Sequence, residues 1–206
     1  MLNSVIGTIF LLGAAGISAA FYKHRGRAYA KGKSERISVV PGFSAVYRWV
    51  QLSTLIFGVA SFWTTSPLLL RVYTSTGLLY IGLGVGSIGL IVFLWAKLTL
   101  DTEYSPCFDS FVANRLINSG PYSRVRHPIY TGNLLLLFGF FLATASLWIA
   151  LNFVLVAAYY IVSAHREEVA LLHALPAYAE YMDRTGRFIP KLFVVPKSVR
   201  ETEIRQ

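Results

Sequence analysis

Apolar residues in this chain run in long blocks, at residues 2–22, about 46–63, about 72–98 and 129–164. A helix that crosses a bilayer needs about 20 mostly apolar residues. The first three blocks, bounded by turn residues or charge, each predict one transmembrane helix. The fourth block carries no charged residue and exceeds one span, and its middle, Ala143-Thr144-Ala145-Ser146, is small and polar. It predicts a tight helical hairpin turning at 144–147, with a single long tilted helix as the alternative. The expected fold class is therefore all-α, a polytopic membrane protein of about five transmembrane helices. Residues 165–175 are helical by composition, with Val169, Leu172 and Leu175 able to share a face. Pro176 interrupts that pattern, and 177–182 predict another turn or two. No internal repeat or linker is visible, so 1–206 reads as one domain. It comprises three N-terminal helices in 1–99, a second half in 100–190 and a solvated tail in 191–206.

Composition strengthens this picture. The 206 residues are 55% hydrophobic and 15% aromatic, with mean hydropathy +0.54, too apolar for a soluble domain of this size. Residues 1–22 have no basic residue before the apolar core and a basic cluster after it, the reverse of a secretory signal, and so predict a retained helix. The lone cysteine, Cys107, permits no internal disulfide and reads as a packing residue.

Charge gives the expected orientation. Lys and Arg number 19 against 10 Asp and Glu, but all except Arg48, Arg71 and Lys97 lie outside the apolar runs or at their ends as membrane anchors, which argues against nucleic acid as a partner. Lys23, Arg25, Arg27, Lys31, Lys33 and Arg36 occupy the first loop, the second has only Arg71, and the hairpin tip has none. The positive-inside rule then predicts an outside N-terminus, with 100–128 and everything after Ala164 in the cytosol. That side holds Arg115, Arg124, Arg126, Arg166, Arg184, Arg187, Lys191, Lys197, Arg200 and Arg205. The first loop and Arg124 are expected to face anionic lipid headgroups.

A helical hairpin from Pro128 to Ala164 brings Arg126, His127 and Tyr130 close to Glu167 and Glu168. Pro128 suits the first turn of a helix, where its missing N–H costs nothing. The free amides and dipole at that helix start attract an anion. Arg126 and His127 are placed to hold a carboxylate or phosphate, with Glu167 or Glu168 accepting from an ammonium or ribose hydroxyl. A zwitterionic, nucleotide-like cofactor matches such a mixed-charge pocket.

The run Gly120-Pro-Tyr-Ser-Arg-Val-Arg-His-Pro-Ile-Tyr-Thr-Gly132, a hydrophobic hairpin, Glu167-Glu168 and then Tyr178-Ala-Glu-Tyr181 resembles the isoprenylcysteine carboxyl methyltransferase family. The resemblance covers about residues 100–190. It implies a cofactor pocket on the cytosolic side for S-adenosyl-L-methionine, bound by Tyr122, Arg126, His127, Pro128, Tyr130, Glu167 and Glu168. It also implies that Arg126, Arg184 and Arg187 lie near the reacting group, and that a lipophilic or lipidated substrate arrives through the bilayer. Tyr104-Ser105 stands where the family often has Trp-Ser, and Ala174-Leu175-Pro176 where it has Phe-Gly. The segment 178–190 is expected to cover the cofactor.

The resemblance implies methyl transfer to a carboxylate of the isoprenylcysteine type, which needs an arginine to orient it and no base. The alternatives are phospholipid or amine N-methylation with His127 as the available base, a nicotinamide-dependent enzyme resembling sterol reductases, and a non-catalytic scaffold. Gly84-Val-Gly-Ser-Ile-Gly89 fits a dinucleotide pattern but lies inside an apolar run. It reads instead as close helix packing, with Gly82 and Gly86 at GxxxG spacing, within one chain or between two. His165 and Glu168 lack further ligands to complete a metal site. Oligomeric state is left open.

Overall fold

A computed structural model describes residues 1–29, 43–72, 75–104, 113 and 115–191, without the side chains of 21–29, 43, 44 and 102. The first-loop cations at 23–36, Ser105, Cys107 and the tail 192–206 therefore fall, in side chain or entirely, outside the described residues. The described chain forms α1 (Leu2–Tyr29), α2 (Phe43–Trp63), α3 (Thr76–Leu100), α4 (Pro128–Thr144), α5 (Leu147–Ala174) and α6 (Tyr178–Arg184). Single 3-10 turns lie at Pro67–Leu69, Asp101–Glu103 and Gly120–Ser123.

Three helical segments, Leu2–Ala20, α3 and α5, are long and apolar enough to cross a membrane. Their outward faces carry exposed aliphatic residues such as Ile81, Ile91 and Val154, as lipid-facing surfaces do. α4 is apolar but has only 17 residues, about 26 Å at 1.5 Å per residue, just short of a bilayer core. α2 has 21 residues and carries Arg48, Gln51, Ser53 and Thr54.

The fourth apolar block folds as a hairpin and not as one tilted helix. α4 ends where Ala145 turns left-handed, with φ 57°, and sends its N–H to Phe141 O at 2.7 Å. Thr144 Oγ1 donates to Phe140 O at 2.7 Å and α5 starts at Leu147. This tip is tied to the segment before α3. Val72 N–H donates to Ala145 O at 3.0 Å, Leu147 N–H to Leu70 O at 3.3 Å and Ser146 Oγ to Leu69 O at 3.2 Å. That pairing explains why α3 starts at Thr76, later than the apolar run suggested. Arg71 and Val72 are spent on the hairpin tip, and Ser75 Oγ caps the helix by accepting from Leu78 N–H.

α3 and α4 pack backbone to backbone, antiparallel, through glycines. A Cβ placed on Gly82 would lie 2.5 Å from Ala143 N and Gly139 O; on Gly89, 2.5 Å from Leu136 N; on Gly132, 2.6 Å from Phe93 N. This is the small-residue packing that membrane helices use in place of a hydrophobic drive. Gly82 and Gly86 thus pack within the chain, as the GxxxG spacing allowed, and Gly89 joins them. α2 and α5 are joined by a polar clamp, Asn152 Nδ2 to Ser53 Oγ and Thr54 Oγ1, both at 2.9 Å. α1 closes the bundle where Leu11 and Ala14 bury against Phe140 and Ile149. α5 runs unbroken past Ala164 to Ala174. The face suggested by Val169 and Leu172 is exposed, and α5 instead buries Tyr160, Ser163, Ala164 and Glu168.

Candidate active site

One end of the bundle, where α3 finishes, α4 begins and α5 ends, gathers the ionisable residues. Glu168 is 2% exposed. It accepts from Arg126 Nε at 2.8 Å, from Arg187 Nε at 3.0 Å and from Arg187 Nη2 at 2.5 Å. His127 Nε2 stands 3.2 Å from Glu168 Oε1, and His127 Nδ1 3.5 Å from Glu167 Oε2. Burial opposes the charged form of His127, but hydrogen bonds to Glu167 and Glu168 outweigh it and raise its pKa above the ordinary value. Three rings stack in series beside this cluster, with Tyr130 4.2 Å from Tyr160 and 5.3 Å from His127. Tyr130 Oη also donates to Glu167 Oε1 at 2.5 Å.

The chain after α6 straps the start of α4. Val125 and Gly186 form a parallel bridge; Arg126 N–H donates to Gly186 O at 2.8 Å and His127 N–H to Arg187 O at 3.1 Å. Thr131 Oγ1 donates to Phe188 O at 2.8 Å. Arg126 Nη1 donates to the carbonyls of Met182, at 3.2 Å, and Thr185. With Nε and Nη1 so engaged, Arg126 offers Nη2 to a ligand. Tyr181 Oη reaches Tyr122 O at 2.7 Å, fastening α6 to the turn that precedes α4. Burial pushes the phenol pKa of Tyr122 and Tyr178 well up, and that of Tyr181 up to about 12. All three are therefore neutral donors near neutral pH.

A cavity of about 830 Å³ opens beside this cluster. Arg126, His127, Glu167, Tyr122, Tyr130 and Tyr178 wall its polar end, and it continues between α1, α2 and α4 along Leu11, Ala14, Leu55, Leu136 and Phe140. The volume is within the roughly 300–1,000 Å³ usual for ligand sites.

The motif residues thus come together, but in different positions. Tyr122, Arg126, His127, Tyr130 and Glu167 line the cavity, whereas Pro128, Glu168, Arg184 and Arg187 are not among its lining residues. Pro128 is buried as the first residue of α4, and Glu168 holds Arg126 and Arg187 from behind. Arg187 is 35% exposed. Arg184, 67% exposed, pairs with Glu180 one turn away.

Sequence reasoning missed several lining residues. Lys97, 3% exposed, has its Nζ 4.9 Å from the Phe93 ring and 4.4 Å from the Tyr104 ring. An ionisable residue inside an apolar span was the available signal. Tyr160 and Asn133, joined Nδ2 to Oη at 3.0 Å, also line the cavity. Tyr160 sits seven positions before Glu167, two helical turns along one face.

The cobalt-zinc-cadmium resistance protein CzcN of Cupriavidus metallidurans is 36% identical over 146 residues, which are 68% of this chain. The matched region spans 59% of that relative's length. Residues 77–176, from the start of α3 to just past α5, match the model of the phospholipid methyltransferase family. Residues 77–176 are thus similar to the phospholipid methyltransferase family, in a protein with three described helices long and apolar enough to cross a bilayer.

Proposed function

We propose that this protein transfers a methyl group from S-adenosyl-L-methionine to a lipophilic acceptor, a carboxylate of the isoprenylcysteine type. The observation that carries this reading is the single cavity joining a mixed-charge end at Arg126 and Glu167 to an apolar branch between α1, α2 and α4. Its donor set fits the cofactor. Arg126 Nη2 suits the amino-acid carboxylate, Glu167 suits the ammonium or ribose hydroxyls, and the rings of Tyr122, Tyr130 and Tyr178 offer apolar and cation–π surface. When bound, S-adenosylmethionine supplies an electrophilic sulfonium methyl group.

The chain's own task is positioning. Glu168, with its bonds to Arg126, His127 and Arg187, fixes the two basic groups that face the cavity. Arg187 acts through that same carboxylate, and Arg184 stands near the strap. The strap 185–188 and α6 keep water from the polar end. An acceptor carboxylate is ionised at neutral pH and needs only a cation such as Lys97 of the cavity wall to orient it.

A second reading, N-methylation of a phospholipid amine, is favoured by the name of the matching family. It requires a base, and His127, with its raised pKa between two carboxylates, favours holding its proton over accepting one. For topology we take five spans with the N-terminus outside and the site facing the cytosol, from the distribution of Lys and Arg. Acceptor chemistry is read directly by methyl transfer in nanodiscs from labelled donor, offering S-farnesylcysteine or phosphatidylethanolamine. The expected product is a base-labile methyl ester on the former. Base-stable label on the phospholipid nitrogen would replace the carboxylate reading with the amine one.

A further inference from the structure

A second polar pocket, of about 330 Å³, lies at the other end of the bundle, where Ala143 and Ala145 of the hairpin tip face the starts of α1 and α3. Its polar wall is Asn3, Ser4, Ser61, Arg71, Ser75 and Thr76. The motifs discussed above do not reach it, and the methyl-transfer reading makes no use of it.

The chemistry of this wall is one-sided. Arg71 Nε is buried and has no hydrogen-bond partner among the described residues, and a buried unpaired donor is costly unless something meets it. Asn3 Oδ1 accepts from Tyr80 Oη at 3.1 Å, which leaves the Asn3 amide hydrogens as donors. Ser4 and Thr76 add hydroxyls, and among the described residues no carboxylate is in the wall. Indeed the sequence has no Asp or Glu between Glu35 and Asp101. A guanidinium with amide and hydroxyl donors and no competing acid is a receptor for an oxyanion.

Its depth points to which oxyanion. Trp63, 54% exposed, ends α2 one residue after Phe62 of the pocket wall, and Trp148, at the start of α5, donates its indole N–H to Leu68 O at 2.9 Å. Tryptophans in such positions mark the headgroup level of a bilayer. We propose that this pocket binds a phosphate group, presented by a phospholipid headgroup of that leaflet or by free phosphate. Bound there, it joins α1, α2 and α3 to the tip of the α4–α5 hairpin.

The test is thermal unfolding of the full chain, delipidated in a neutral detergent, followed by helical signal. Two probes are added separately, dioleoyl phosphatidylglycerol and inorganic phosphate. Saturating probe is expected to raise the midpoint by about 5 °C, and Arg71→Gln is expected to remove that rise while Arg124→Gln, an exposed cation at the opposite end, retains it. A rise with lipid alone identifies the headgroup as the source; a rise with inorganic phosphate identifies the free anion. Thr76→Ala, which trims one wall hydroxyl, serves as the second variant if Arg71→Gln does not fold, and a reduced rise is expected. No rise with either probe, or an undiminished rise in Arg71→Gln or in Thr76→Ala, overturns the proposal.

Discussion

Replacing Glu168 with alanine is expected to lower the unfolding free energy by about 3–5 kcal/mol, the range for removing one partner of a buried ion pair. The reason is geometric. Both carboxylate oxygens are engaged, by Arg126 on one side and Arg187 on the other, with His127 at 3.2 Å. Alanine leaves Arg126, whose side chain is 8% exposed, and the buried His127 without their shared counter-charge. It also frees the strap, since Arg187 is held to α5 through Glu168. The deficit has a pH signature. The folded pKa of His127 is raised, so the stability from its charged form is fully present below its unfolded value of about 6.5. It is lost as pH rises through the raised folded value. In Glu168→Ala one of the two raising carboxylates is gone, so this loss with rising pH shrinks. Thermal unfolding in nanodiscs across pH 5–9 measures both. A wild-type-like midpoint and pH slope in Glu168→Ala would remove this carboxylate from the account.

Bulk between α3 and α4 has the second large expected effect. Gly139→Leu places a Cβ 2.5 Å from Gly82 O and closer still to Gly86, and the obstacles are helix backbones, which cannot turn aside as a side chain can. A cost of about 3 kcal/mol, the upper end for overpacking, is expected, with the polar end of the cavity spreading as α4 shifts. Gly84 supplies the control, because a Cβ there meets nothing within 4 Å. Gly84→Leu should stay within about 0.5 kcal/mol of wild type. Equal unfolding midpoints for the two variants would mean that α3 and α4 are not in backbone contact.

The helices were largely legible because apolar length and charge are written in the chain. The hairpin turn was readable from a charge-free run too long for one span with small residues at 143–146, and Ala145 takes the left-handed turn there. The start of α3 was not, since Arg71 and Val72 are fixed by the distant Ser146 and Ala145 and not by their neighbours. The same division holds at the site. The meeting of Arg126, His127 and Tyr130 with Glu167 and Glu168 followed from the motif and the hairpin together. Which of the two glutamates faces the cavity did not follow. Successive helix positions are about 100° apart, and only the crossing of 182–188 over α4 turns Glu168 into a buried anchor and leaves Glu167 at the cavity wall. Tyr160 needed the third dimension as well, because α3 and α5 meet the cavity from different sides, whereas Lys97 was marked in the sequence as a cation inside an apolar run.

The central claim is that the cavity beside Arg126 and Glu167 holds the methyl donor. Isothermal titration of the purified protein in nanodiscs with S-adenosylhomocysteine tests it most directly, with Glu167→Gln beside wild type. The account predicts saturable binding by wild type, weakened roughly tenfold or more in Glu167→Gln by loss of a charge-assisted hydrogen bond, with helical content unchanged. Absence of binding by folded wild-type protein, or equal affinity in the variant, would contradict it.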